Sequence, residues 1–192
     1  LARQNIITAG DADVILRALD ALDREELAAS TYDPASEDFF FYLEAKIAQR
    51  CDLDIAGKLH TARSRNDIDI TLYRLEVRAE LLRTHRALGA FAAVLLRLSA
   101  EHTGTVMPAH THTQPAQPTT LAHYLLAVIE CINRDLGRIE AAYATVNRNP
   151  LGACAITTTG FPIDRQVTTA LLGFDGLQVN SYGAIAATDY LL

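Results

Sequence analysis

The sequence predicts an all-α fold, and three observations carry this prediction. From Asn66 to Glu101 there is no proline and only one glycine, and small or apolar residues recur in steps of three and four. A second periodic stretch runs from Thr119 to Asn147, and no alternating strand pattern persists beyond a few residues. Two long antiparallel helices joined by a proline-rich segment are the core of a helical bundle.

Shorter elements are expected before the first long helix. Capping residues and apolar spacing predict, in chain order, a helix over residues 11–30 capped by Asp11 or Asp13, a second helix from Asp33 or Ser36 to about Cys51, and an irregular polar segment over residues 52–65.

The first long helix carries a heptad-like stripe, formed by Ile68, Leu72, Leu75, Ala79, Leu82, Gly89, Ala93, Leu96 and Ala100. At about 1.5 Å per residue, a helix from Asn66 to Glu101 is a rod about 54 Å long. Such a rod must pack against other long helices, from this chain or from copies of it.

The second half of the chain begins with a proline-rich segment over residues 103–118, which cannot be helical. Thr119 or Thr120 caps the second long helix, whose stripe is Leu121, Leu125, Val128, Ile132, Leu136, Ile139, Tyr143 and Val146. After a loop over residues 153–163, we expect a helix capped by Asp164 and a last helix that begins at Asn180 or Ser181 and is cut off by the chain end.

Composition excludes several classes of protein. The net charge is −6 and about half of the residues are apolar, which excludes a disordered chain and argues against nucleic-acid and membrane-surface binding. No apolar run approaches the roughly 20 residues that cross a bilayer. Cys51, Cys131 and Cys154 are scattered, which predicts buried free thiols in a cytoplasmic protein rather than disulfides or a zinc site.

Residues 60–67, His-Thr-Ala-Arg-Ser-Arg-Asn-Asp, lie where the first long helix begins. A helix N-terminus presents free N–H groups and attracts anions. Ser64, Arg65 and Asn66 add a hydroxyl, a guanidinium and an amide, which suit a carboxylate or a phosphate. The alternative is that Ser64 or Asn66 is only a helix cap and that the arginines are solvated.

Residues 107–118 combine two histidines, two glutamines and three prolines. His112 is a plausible acid or base because imidazole titrates near neutrality. One alternative is a metal site in which His110 and His112 are joined by His60 or His123. The other is a rigid polar turn between two helices.

Together these segments resemble the argininosuccinate lyases of the fumarase/aspartase superfamily. Residues 61–67 are similar to the family's T-G-R-S-R-N-D segment, and residues 111–118 to its T-H-L-Q-R-A-Q-P segment. The likeness begins near residue 35 and continues through Asn149-Pro150-Leu151-Gly152, Pro162-Ile163-Asp164-Arg165 and Asn180-Ser181.

The resemblance implies a homotetrameric, helical carbon–nitrogen lyase that releases fumarate, uses no metal or cofactor, and assembles each active site from three subunits. Residues 1–65 would end an N-terminal helical domain, and residues 66–192 would begin the central bundle. The family's catalytic serine lies on a loop with the signature G-S-S-x-M-P-x-K-x-N, which is expected after residue 192. The chain starts without Met and ends in an apolar run, so we expect a piece of a longer protein.

The resemblance also implies residue roles. His112 would transfer a proton near the leaving nitrogen, while Asn66 and Thr111 would grip the carboxylates of the succinyl half. The other implied substrate-binding residues are Ser64, Arg65, Gln114 and His60. Hydrogen-bond donors that stabilise charge growing on a carboxylate lower the barrier to such an elimination.

Several positions depart from the family pattern: Ala62 for Gly, Ile68 for Gln, His110 for an aromatic residue, Thr113 for Leu, Pro115 for Arg, and Gly183, Ala186 and Thr188 for Asp, Ser and Arg. The residues that would bind the substrate carboxylates match the family pattern, whereas the residues around them differ from it. We therefore expect the substrate to be argininosuccinate or another N-succinyl aminocarboxylate such as ethylenediamine disuccinate. The non-enzymatic alternative is a helical scaffold of the same fold.

Overall fold

The computed structural model describes residues 1–32, 34 and 36–191. The chain divides into two compact units. Unit 1 comprises Leu1–Leu72 and Arg148–Thr188, and unit 2 comprises Tyr73–Asn147 and Asp189–Leu192. The division of a longer protein at residues 65 and 66 stays a prediction, since it concerns domains that extend beyond this chain.

Helices dominate the described residues, as predicted for an all-α protein. In chain order the elements are α1 (Ala9–Asp20), α2 (Arg24–Ala29), α3 (Phe39–Ala48), α4 (Leu53–Lys58), α5 (Arg65–Glu101), β1 (Val106–Thr111), β2 (Gln114–Thr120), α6 (Leu121–Val146), β3 (Arg148–Asn149), α7 (Arg165–Leu171), β4 (Gly176–Leu177) and α8 (Ser181–Ala186), with short 3-10 helices at Ala2–Gln4 and Asp189–Leu191.

The single helix predicted over residues 11–30 is wrong, because two helices occupy that region. Thr8 caps α1 in place of Asp11 or Asp13, and Asp11 completes a reciprocal capping box with it. The break comes at Asp23, whose carboxylate accepts the N–H groups that open α2.

Aspartate caps also place the next two helices. Asp38, not Ser36, caps α3, and Asp33 lies outside the described residues. The segment over residues 52–65 is not wholly irregular, because Asp52 accepts the Asp54 N–H at 2.9 Å and starts the six-residue helix α4. A single cap therefore creates helix where the polar composition predicted none.

The first long helix is confirmed as α5, which has 37 residues. The face that it buries is not the predicted stripe: Leu82 and Leu96 are 42% and 57% exposed, while Arg74, Leu95 and Ser99 are buried. The buried positions lie one residue before those of the predicted stripe, which rotates the buried face by about 100° around the helix axis. Among helices of the described residues, none is both long and apolar enough to cross a bilayer.

The second long helix behaves as predicted. Thr120 caps α6 by accepting the His123 N–H at 3.2 Å, and its stripe is turned inward. Leu125 and Ile132 of α6 pack with Leu95 of α5 to form the core of unit 2. At the end of α6, Arg74 donates hydrogen bonds to the carbonyls of residues 145 and 146 and stacks on the ring of Tyr190.

The proline-rich segment is non-helical, as predicted, but it is an antiparallel hairpin of β1 and β2, which the sequence analysis did not predict. Pro108 lies opposite Pro118, with a register irregularity before His110. A two-stranded ribbon has only edge strands, which tolerate residues that lack an N–H donor. The prolines therefore exclude helix without excluding this hairpin.

The last elements agree with the predicted capping residues. Asp164 caps α7, and Asn180 caps α8 by accepting the Gly183 N–H. Contrary to expectation, α8 is not cut off by the chain end, because it stops at Ala186. In unit 1 the two-residue strands β3 and β4 pair in parallel.

Candidate functional site

The N-terminus of α5 begins the candidate site of unit 1. The carbonyl of Ser64 accepts the first helical bond, from Ile68, so Ser64 occupies the N-cap position. Its hydroxyl accepts the Asn66 N–H at 3.3 Å, and Asp67 Oδ1 accepts the Ser64 N–H at 2.8 Å. This is the capping-box spacing, Ser-x-x-Asp, with aspartate at the third helical position.

Asp67 was assigned no role from the sequence, although the capping-box spacing is a signal that could have found it. Its side chain is fully buried. Besides the bond from Ser64, Oδ2 accepts the Gly152 N–H at 2.8 Å and the Cys154 N–H at 2.9 Å. Burial of an ionised carboxylate is costly unless hydrogen bonds compensate for lost water, and three N–H donors do so here.

The loop that contacts Asp67 is itself held from the other side. Arg165 donates hydrogen bonds to the carbonyls of Pro150 and Leu151, each at 3.0 Å. Gly152 has a φ of +89°, and a Cβ at this position would lie 2.7 Å from Arg165 Cγ. Glycine is therefore required by both the backbone and the close approach of the arginine stem.

Asn66 lies beside this loop, and only part of its side-chain amide is used in hydrogen bonds within the described residues. Its Nδ2 donates a hydrogen bond to the Ala155 carbonyl at 3.1 Å, which fixes the orientation of the amide. The residue is otherwise exposed. One N–H and the Oδ1 atom of this amide thus remain for a ligand at the start of α5.

Arg65 is occupied by protein carboxylates. Its guanidinium pairs with Asp38 and, at 3.3 Å, with Glu37, and it also lies 3.9 Å from Asp69. Burial raises the pKa of the Asp69 carboxyl, against the opposing effect of Arg65. A substrate carboxylate would have to share this guanidinium with three acids, so the predicted contact of Arg65 with substrate stays a prediction.

His60 also has a carboxylate partner in unit 1. Its Nδ1 lies 2.8 Å from Glu44 Oε1, and its ring meets Phe40 edge-on. Because a carboxylate only accepts, Nδ1 carries the proton and Nε2 faces away from Glu44. Both residues border a cavity of about 460 Å³ between α3 and α4.

Two strained or buried neighbours complete this part of the molecule. Ala62 has a φ of +58°, a region that favours glycine. Cys154 has a φ of +55°, and burial raises the pKa of its thiol, which disfavours a reactive thiolate.

All three cysteines are free, but Cys131 is exposed, so the prediction that all are buried is wrong at this position.

The hairpin of unit 2 carries the other predicted residues. Thr111 pairs with Gln114, and His112 and Thr113 form the two-residue turn between them. Both turn residues have positive φ, +47° and +63°, which is the signature of a type I′ turn usually made by Asn-Gly. Strained backbone of this kind is concentrated at functional sites.

The side chain of His112 is exposed at the hairpin tip, as are those of Thr111 and Gln114. Within the described part of the chain, no protein group forms a hydrogen bond with the His112 ring. Over the same residues, no three His, Cys, Asp or Glu side chains are grouped so that they could hold a metal ion. The structure therefore places His60, Ser64, Arg65 and Asn66 in unit 1, and Thr111, His112 and Gln114 in unit 2.

Residues 1–192 match the protein family described as Lyase. The chain is 43% identical to an argininosuccinate lyase of Methanoculleus marisnigri over 192 residues, which are 100% of this chain and 39% of that protein. It is 45% identical to argininosuccinate lyase 2 of Agrobacterium fabrum over 195 residues, covering 99% and 38% of the two chains. These matches confirm the resemblance inferred from the motifs.

Among solved structures, an EDDS lyase in complex with formate matches with a TM-score of 0.89 and 39% sequence identity. The match covers 99% of this chain and 37% of the other. The chain thus spans a little under two fifths of the length of the relatives it matches.

The strain at Ala62 generates a stability prediction. Ala62→Gly should raise the free energy of unfolding by about 0.5–1 kcal/mol, because relief of the left-handed backbone outweighs the entropy that glycine adds to the unfolded chain. Urea denaturation measures this. Ala45→Gly, at an exposed position within α3, should lower the same free energy by about 1 kcal/mol. Destabilisation by both substitutions would contradict the strain.

Proposed function

Because the chain belongs to the lyase family over residues 1–192, we propose that its full-length protein is a carbon–nitrogen lyase. It cleaves argininosuccinate or a similar N-substituted aspartate to fumarate and an amine. The observation that carries the proposal is the exposed Asn66 amide at the N-terminus of α5, held by the Ala155 carbonyl. A helix N-terminus with an oriented amide suits a carboxylate, and every candidate substrate carries the same succinyl carboxylates.

The chemistry follows from these residues. A base removes a proton from the carbon beside one succinyl carboxylate, and the charge left behind spreads onto that carboxylate. The electron pair then forms the carbon–carbon double bond as the carbon–nitrogen bond breaks. Donors at Asn66 and Thr111 bind this carboxylate in the substrate and continue to stabilise it as its charge grows. His112 supplies a proton to the departing nitrogen, with Gln114 as a neighbouring polar contact.

The base itself is assigned outside this chain. The resemblance to argininosuccinate lyases implies a serine on a mobile loop after residue 192. Within this chain, Ser64 and Arg65 support the carboxylate site and His60 borders it. No metal or organic cofactor is required, because the charge and both protons are handled by side chains.

The amine half of the substrate separates two candidates. The matches to argininosuccinate lyases favour argininosuccinate. The match to EDDS lyase favours ethylenediamine disuccinate, which carries the same N-succinyl group. Full-length protein should be incubated with each compound while fumarate is followed by absorbance. Faster release from one compound identifies the substrate class, whereas release from neither would favour the non-catalytic scaffold.

We further propose that the full-length protein is a homotetramer whose active sites combine segments of different subunits. The support in this chain is the exposure of Leu82 and Leu96, two apolar residues of the predicted stripe on α5. Large exposed apolar patches mark interaction surfaces. We expect copies of the same chain to cover this stripe, because a heptad-like pattern is typical of long helices that pack against one another.

Charges placed on the stripe of α5 should disrupt this assembly. Leu82→Glu combined with Leu96→Glu should reduce the mass found by sedimentation velocity from a tetramer to a smaller species, because each change buries a charge in the proposed interface. Thr84→Glu, at an exposed position on the same helix, adds a like charge outside the stripe and should leave the tetramer intact. A wild-type protein that sediments as a monomer would overturn the assembly.

The carboxylate-binding prediction concerns Asn66 and Thr111. Either Asn66→Ala or Thr111→Ala should raise KM for a succinyl substrate about 10- to 150-fold, because each removes a hydrogen bond to a charged group worth about 1.5–3 kcal/mol. Steady-state kinetics of the full-length protein measures this. Both side chains are exposed, so the melting temperature should change little. Unchanged KM and kcat in both variants would refute the assignment.

The proton-transfer prediction concerns His112. His112→Asn should keep the size and polarity of the turn but lower kcat about 10²- to 10⁴-fold, with a smaller change in KM. The matched control is His110→Asn on the same hairpin, which should cost little. Equal losses in the two variants, together with inhibition of the wild-type protein by chelators, would favour a metal site instead.

A further inference from the structure

We infer that Asp67 is the positioning residue of the carboxylate site, acting through the loop over residues 152–155 on the amide of Asn66. This inference rests on the proposed function, because Asn66 is the residue through which it reaches the substrate. Asp67 itself is fully buried and cannot touch a ligand. Its influence must pass through the groups that it holds.

The first step is the contact of Asp67 with the loop. One carboxylate oxygen, Oδ2, accepts both the Gly152 N–H and the Cys154 N–H, at 2.8 and 2.9 Å. The other oxygen, Oδ1, accepts the Ser64 N–H at the start of α5. A single rigid carboxylate therefore joins the helix start to a loop more than 80 residues away in sequence. Charge-assisted bonds of this kind are shorter and stronger than neutral ones.

The second step leads from the loop to Asn66. Residue 155 follows directly after the clamped Cys154, and its carbonyl accepts the hydrogen bond from Asn66 Nδ2 at 3.1 Å. This bond decides which face of the amide points outward. If the loop moves by the length of one hydrogen bond, the Ala155 carbonyl leaves Asn66, and the amide can rotate about its last side-chain bond. The orientation of the ligand-binding N–H thus depends on Asp67.

The alternative is that Asp67 only stabilises the fold. The two roles differ in kinetics. A stabilising residue lowers the fraction of folded enzyme, which reduces the apparent kcat and leaves KM unchanged. A positioning residue raises KM, and it does so only while the side chain that it positions is present. A double-mutant cycle between Asp67 and Asn66 therefore separates them.

The experiment uses the full-length protein and four forms: wild type, Asp67→Asn, Asn66→Ala and the double variant. Asp67→Asn keeps the shape but replaces an accepting oxygen with an amino group that faces backbone N–H donors. We expect it to raise KM about 10-fold or more in the wild-type background, and less than about 2-fold in the Asn66→Ala background. Equal increases in both backgrounds, or no increase in either, would overturn the inference.

Two additions guard against loss of folding. Asp67→Glu keeps the charge but displaces the oxygens by one methylene, so it should fold and raise KM by an intermediate factor. Ile47→Ala removes a buried apolar side chain of α3 and should lower the melting temperature without changing KM. A raised KM in Ile47→Ala would assign the effect of Asp67 to general destabilisation.

The outcome remains decisive if the proposed function fails. Release of fumarate from neither substrate by the wild-type protein would refute the function alone. Crystal structures of the wild type and Asp67→Asn then decide the positioning. Loss of the 3.1 Å contact between Asn66 and Ala155 in the variant supports the inference, and its retention overturns it.

Discussion

The carboxylate of Asp67 is the interaction on which the candidate site of unit 1 depends. It accepts three backbone N–H groups, one from the helix start and two from the loop at residues 152–154. These donors would otherwise be buried without partners, and so would the carboxylate. Removal of one side of this arrangement leaves the other unsatisfied, which is why buried polar networks specify a single geometry.

Buried polar side chains also hold the loop at residues 149–155 from its other neighbours. Asn149 is fully buried, and its amide donates to the hydroxyls of Thr168 and Thr169 while its oxygen accepts the Leu151 N–H. Arg165 donates hydrogen bonds to two carbonyls of the same loop. Burial lowers the pKa of its guanidinium. Side-chain hydrogen bonds thereby satisfy backbone groups in a segment with almost no regular secondary structure. The Ala155 carbonyl, which accepts the hydrogen bond from the Asn66 amide, belongs to the same segment.

The hairpin in unit 2 achieves rigidity by other means. Prolines restrict the backbone of both strands, and the register brings Thr111 opposite Gln114. The turn between them places His112 and Thr113 in the left-handed region, at a cost of about 1–2 kcal/mol for each residue. Asn-Gly is the usual sequence of such a turn. The strain therefore supports the assignment of His112 to chemistry rather than to structure.

Local sequence signals determined much of this protein without reference to its tertiary structure. The bounds of α5 and α6, the cap residues Asp164 and Asn180, and the polar segments around Asn66 and His112 follow from periodicity, capping chemistry and motif spacing, which act within one or two turns of chain. The family was also evident from its motifs. For the proline-rich segment the sequence predicted only the absence of helix and not the hairpin, because the pairing of two strands is not a local property.

Only the tertiary structure decided which groups meet across long separations. Nothing in the sequence indicated that Asp67 bonds to residues 152–154, which the fold brings next to it. Nor did the sequence indicate that Arg65 pairs with Asp38 and Glu37. The buried face of α5 was likewise misjudged, because the sequence of a helix does not record which of its faces meets the rest of the chain. Hydrogen bonds and burial depend on distance in space, and a periodic pattern specifies distance only along one element.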